Sequence, residues 1–145
     1  MNAPGKVLLK IVSILLIIFG VAAAVFAVLG LIVYAAMADS LGKLAGIIIV
    51  TIVLILVVGM LDLVLGIVGL KKCGIPAQSS YFVTSGIVLC ALSLVSLIHC
   101  LAGNGFDVTI MGLPLGALAV TGTVLPVFYI IGGSKNKNAA KPVSQ

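Results

Sequence analysis

The sequence predicts an all-α integral membrane protein: an antiparallel four-helix transmembrane bundle with left-handed packing and both termini in the cytoplasm. Three observations predict it. Of the 145 residues, 63% are hydrophobic and only 8% are charged, whereas a soluble domain is near half apolar and a quarter charged. The apolar residues fall into four stretches, each close to the ~20 residues that cross a bilayer as a helix. The lysines gather beside alternate ends of those stretches.

The expected spans are 7–35, 44–70, 81–102 and 112–133. The first begins like a signal peptide, with Lys6 and Lys10 ahead of it and Ala36-Met37-Ala38 after it. Its apolar stretch is far longer than a ~7–15-residue signal core, so an uncleaved span is expected. Lys71 and Lys72 stop the second span. Gly103-Asn104-Gly105 breaks the chain after the third, since such residues favour turns. The β-branched Val108-Thr109-Ile110 run suggests an extended segment over 106–111. Pro114 suits the first turn of the fourth helix, where a missing N–H costs nothing. The polar stretch 134–145 is expected to be a disordered cytoplasmic tail. The four spans leave no room for a separate soluble domain.

Lys6, Lys10, Lys71, Lys72, Lys135, Lys137 and Lys141 fall on one side of this topology, and Lys43 with Asp39 and Asp107 on the other. Seven lysines against one is a strong positive-inside bias, so Lys71 and Lys72 mark the cytoplasmic face. The net charge of +5 is thereby topological. The lysines sit at span ends without a nucleic-acid motif, and no nucleic-acid partner is expected. Tyr34, Tyr81 and Tyr129 lie near span ends, where interfacial aromatics gather. The expected location is a multi-pass position in a plasma or bacterial inner membrane.

In lipid, small residues mark the faces on which helices touch. The spans carry such residues at steps of three or four, which places each set on one helix face. Gly20 and Ala24 mark the first span, Gly59 and Gly66 the second, Gly86 the third, and Gly112 and Gly116 the fourth. The steps approach a heptad, which favours left-handed crossings near +20°.

Asp62 is the only acidic residue inside a span. Intramembrane carboxyls are expensive and usually face a bundle interior or a water-filled path. The Gly59–Gly66–Gly69 stripe turns Asp62 inward. At its depth the other spans offer Gly20, Cys90, Ser93 and Thr123 to Pro126. Pro126 has no N–H for the carbonyl of Gly122, so that oxygen needs another partner. Asp62 with Cys90, Ser93 and Thr123 is therefore the candidate polar site. A lone carboxyl there is expected as the neutral acid unless a cation lies near. It would act either as a hydrogen-bonded interhelical clamp or as a proton or cation site.

The other reactive side chains give little. Cys90 and Cys100 are ~15 Å apart along one helix, beyond disulfide reach. His99 and Cys100 diverge by ~100° on a helix, which is poor geometry for one metal. Cys73 is read as a free thiol in the cytoplasmic loop, where acylation is conceivable. No nucleophile elbow, P-loop or ligand cluster is present, so no enzyme activity, cofactor or metal is expected. The expected function is association inside the bilayer with lipid, with another membrane protein, or with itself as a parallel homo-oligomer. The alternative is a small proton- or cation-coupled transporter or channel centred on Asp62.

Overall fold

The computed structural model describes residues 4–42, 44–102, 109–110 and 113–139. It is built from four helices: α1 (Lys6–Leu41), α2 (Leu44–Lys72), α3 (Ser79–Ala102) and α4 (Leu115–Ala139). A short 3-10 turn, Pro76–Gln78, leads into α3. Among the described residues, three helical stretches are long and apolar enough to cross a membrane: Lys6–Met37, Ala45–Lys72 and Ser79–His99. In hydrocarbon every backbone N–H and C=O must be paired within the chain, which a continuous helix achieves by itself. The leucine, isoleucine and valine side chains then need only apolar neighbours, whether protein or lipid.

Helices α1, α2 and α3 cover the first three apolar stretches, and α1 runs six residues past Ala35. Two further differences concern the last helix. Helix α4 starts at Leu115, with Pro114 in the preceding strand β2 (Leu113–Pro114). Proline disfavours a helical conformation in the residue before it, so Leu113 is extended and the helix starts after the ring. β2 pairs antiparallel with β1 (Thr109–Ile110), which fits the expected extended segment. The rest of that segment, 106–108 and 111, and the 103–105 break lie outside the described residues. At its other end α4 runs through 134–139, where a disordered tail was expected. Asn136 ties it down there: it is 0% exposed and bonds to Gly5 just ahead of α1 and to Cys73 just past α2. Residues 140–145 lie outside the described residues.

Helix α1 packs chiefly on α2, and α3 on α4; closer to the lysine-bearing ends α1 also meets α4 and α2 meets α3. All the registers are antiparallel. On α1 and α2, Gly66 lies against Ser13 and Ile17, Gly20 against Gly59 and Leu63, and Gly30 against Ile52. On α4, Gly132 lies against Leu9 of α1 and Gly133 against Phe82 and Val83 of α3. Gly86 of α3 lies against Ile130.

These glycines allow backbone-to-backbone approach. A Cβ on Gly20 would stand 2.7 Å from the carbonyl oxygen of Gly59, and one on Gly66 would stand 2.8 Å from that of Ser13. Close packing of this kind replaces the hydrophobic drive that helices lack in lipid. The predicted contact residues Gly20, Gly59, Gly66 and Gly86 are all buried, and Ala24, half-buried, has its backbone N–H beside Gly59. Gly112 lies outside the described residues, and of Gly116 only the backbone is described.

The apolar core sits towards the lysine-bearing end. Leu9, Val12 and Leu16 of α1, Phe82 and Leu89 of α3, and Leu125 and Tyr129 of α4 form one cluster there. Phe82 packs edge-on to Tyr129 and Tyr81, with ring centroids 5.4 and 5.8 Å apart.

Candidate functional site

Two polar layers cross the interior. The first lies at the lysine-bearing end and is centred on Asn136. Its Oδ1 accepts from the backbone N–H of Gly5 at 2.7 Å, just ahead of α1. Its Nδ2 donates to the carbonyl of Cys73 at 3.3 Å, just past α2. Helix ends leave backbone groups without helical partners. One amide from α4 thus satisfies two of them, on two other helices. Two turns deeper, the Tyr129 hydroxyl donates to the carbonyl of Leu65 on α2 at 2.9 Å. Gly69 leaves the notch in which that hydroxyl and Ser13 meet.

This layer revises two expectations. Tyr129 is not an interfacial aromatic: it is 0% exposed and bonded inside the bundle. Cys73 is not an accessible loop thiol: it is 5% exposed, and its thiol donates to the carbonyl of Leu70 at 3.4 Å. Burial in the joint between α2, α3 and α4 leaves it a poor acylation target. Outside the layer, Lys6, Lys10, Lys71, Lys135 and Lys137 are exposed, while the half-buried Lys72 places its Nζ 4.8 Å from the centre of the Tyr81 ring.

The second layer is the predicted one. Asp62 is 4% exposed, at the centre of the buried face of α2 between Gly59 and Gly66. It faces the interior, and its Oδ1 is buried without a hydrogen-bond partner among the described residues. The bond expected of a clamp is therefore not made by this oxygen. The antiparallel registers set Asp62 level with Gly20 on α1, with Thr123 and Val124 on α4, and with Ser93 on α3. Ser93 is 3% exposed and on the buried face of α3. Its hydroxyl donates to the carbonyl of Leu89 at 2.8 Å, leaving its oxygen free to accept or coordinate. Cys90 and Thr123 are half-buried, on the flanks of their helices, and Cys90 lies one turn nearer the lysine-bearing end. So Asp62, Ser93 and Thr123 share one depth with Cys90 a turn away, and only Asp62 and Ser93 sit centrally.

At the far end of α3, His99 is half-buried, with Nε2 lacking a partner among the described residues. No group of three or more His, Cys, Asp or Glu side chains is gathered among the described residues.

Sequence reasoning missed Asn136 and Ser13. A signal for Asn136 existed. Tyr129 and Asn136 are seven residues apart, so a helix carried past Gly133 brings both onto one face. Ser13 offered only its smallness and its place in the register of Gly66.

The chain matches no family model, no curated protein and no solved structure.

Proposed function

We propose that the chain is a small four-span membrane protein, with α4 as its fourth span and both termini cytoplasmic. It works without catalysis, by association inside the bilayer with lipid, with another membrane protein or with a second copy of itself in parallel orientation. One observation carries this reading. The outward faces of α1, α2 and α3 expose large apolar side chains along their lengths, from Val7 to Met37, from Ile47 to Ile67 and from Ile87 to Leu101. Such faces suit lipid or other apolar helices and offer little to a soluble partner. The lysine bias disfavours dual insertion, so copies in one membrane would share an orientation.

The test uses a cysteine-free background with Ser80→Cys, an exposed position in the first turn of α3. Impermeant thiol reagents should reach it only from the cytoplasmic side, and labelling from outside intact cells would refute the topology. Donor- and acceptor-labelled copies in vesicles should keep their energy transfer as lipid dilutes them. Transfer falling to the level of random encounters would remove the second copy as the partner.

A second reading is favoured by a specific observation, the unpartnered Asp62 Oδ1 in the bundle interior. In it the chain is a proton- or cation-coupled transporter or channel in which Asp62 ionises. A buried carboxyl without a partner costs stability that a structural clamp would recover. Intramembrane acids of this kind mark ion and proton paths in other membrane proteins. Vesicles containing the protein should then show proton or cation flux that Asp62→Asn abolishes. Equal flux from the two proteins, or none from either, would remove this reading.

A further inference from the structure

We infer that the interior at the depth of Asp62 is a binding site for one small, hard monovalent cation of the sodium class, held by oxygens from α2, α3 and α4. This rests on the second reading, in which Asp62 ionises, and names the ion.

The observation that carries it is open space where the helix pattern calls for contact. Gly122, Tyr129 and Asn136 follow one another at steps of seven, so they lie on one face of α4. Tyr129 and Asn136 are completely buried there. Gly122 is only half-buried, and a Cβ placed on it would have no atom within 4 Å. The contrast with Gly132, whose added Cβ would stand 2.8 Å from Leu9, locates the gap at the Asp62 depth.

Three oxygens of suitable chemistry converge on that depth. Asp62 brings a buried carboxyl oxygen without a partner. Ser93 brings a buried hydroxyl oxygen whose proton is already committed to Leu89. Gly122 brings its carbonyl, which cannot receive the usual helical N–H because Pro126 stands four residues on. Proline-interrupted helices that free backbone carbonyls in a bundle interior are a known way of coordinating sodium or protons in transporters. From α1 the nearest residues at this depth, Phe19 and Gly20, bring no polar side chain.

The donor set selects the ion. All three donors are oxygens, and no histidine joins them, which suits hard cations and disfavours zinc or copper. Among the described residues the soft donor nearest is Cys90, one turn away and on the flank of α3. One carboxylate balances one positive charge. A divalent ion would leave an excess charge in a low-dielectric interior, at high cost.

The test is thermal unfolding of the full-length protein in lipid nanodiscs at pH 8, with choline exchanged for sodium at constant ionic strength. Sodium should raise the midpoint by roughly 5–10 °C at ~100-fold excess over its Kd, and choline should not. Asp62→Asn should remove the sodium response. Pro126→Ala, which restores an N–H to the Gly122 carbonyl while sparing the carboxylate, should weaken sodium binding severalfold. Radioactive sodium binding to the wild-type protein, measured beside them, keeps the test independent of how the variants fold.

A wild-type protein that binds no sodium overturns the inference, as does a sodium response that survives Asp62→Asn. Infrared spectra separate the two levels of failure. A carboxyl band that is lost in Asp62→Asn and titrates with pH, without responding to sodium, would leave Asp62 ionising and make the proton its ligand. A band that responds to neither pH nor sodium would remove the second reading together with the site.

Discussion

Asn136 and Asp62 are both buried polar side chains in one bundle, yet Asn136 is bonded at both its oxygen and its nitrogen, while Oδ1 of Asp62 has no hydrogen-bond partner among the described residues. Around Asn136 the glycines pack against neighbouring backbones, whereas around Asp62 α1 and α2 touch in the same way at Gly20 and Gly59 but space remains beside Gly122. The difference teaches how to read a polar residue in a membrane helix. A satisfied one is accounted for by the termini it joins. An unsatisfied one carries an uncompensated cost of ~1–3 kcal/mol, and the fold gives no return for it.

The comparison breaks most visibly through overpacking. Gly66→Leu should drive α2 off Ser13 and Ile17 and cost ~3 kcal/mol or more, read as a lower unfolding midpoint in detergent. Val53→Leu, on a face that is 46% exposed, should leave the midpoint unchanged. Equal losses from the two would mean that the contact faces are misassigned. Next in size is Asn136→Ala. It strands the Gly5 N–H and the Cys73 carbonyl, so a loss of ~1–3 kcal/mol is expected. A silent Asn136→Ala would mean that water already serves those groups. Tyr129→Phe removes one interhelical hydrogen bond and should cost ~0.6–1.7 kcal/mol, the range of such bonds in lipid. The smallest effect should have the opposite sign. Gly122→Ala meets no atom and improves helix propensity, so it should stabilise by up to ~1 kcal/mol. A destabilising Gly122→Ala would show that the space is closed in solution.

Much of this contrast was legible before any coordinates. Lengths of apolar sequence and lysine placement give the helices, because lipid constrains backbone pairing so strictly. The small-residue stripes give the α1–α2 contacts, since Gly20, Gly59 and Gly66 leave little choice of face. Asp62 and Ser93 follow from counting depth along those helices. Asn136 escaped because its neighbours, Lys135, Asn138 and Lys137, make the stretch look like a solvated tail. Composition cannot reveal that one residue in four of such a stretch turns inward. The cover over Cys73 and Tyr129 escaped for a related reason: both lie near span ends, where distance from the interface says nothing about which helix stands alongside.

Asn136 also bears on how the protein is made. A chain emerging from the ribosome completes α1 and α2 long before residue 136 is synthesised. The first hairpin must therefore wait in the membrane with the start of α1 and the carbonyl of Cys73 uncapped, until the last turns of α4 arrive to latch them. Chains ending at residues 133 to 135 would hold every apolar stretch and still lack the latch.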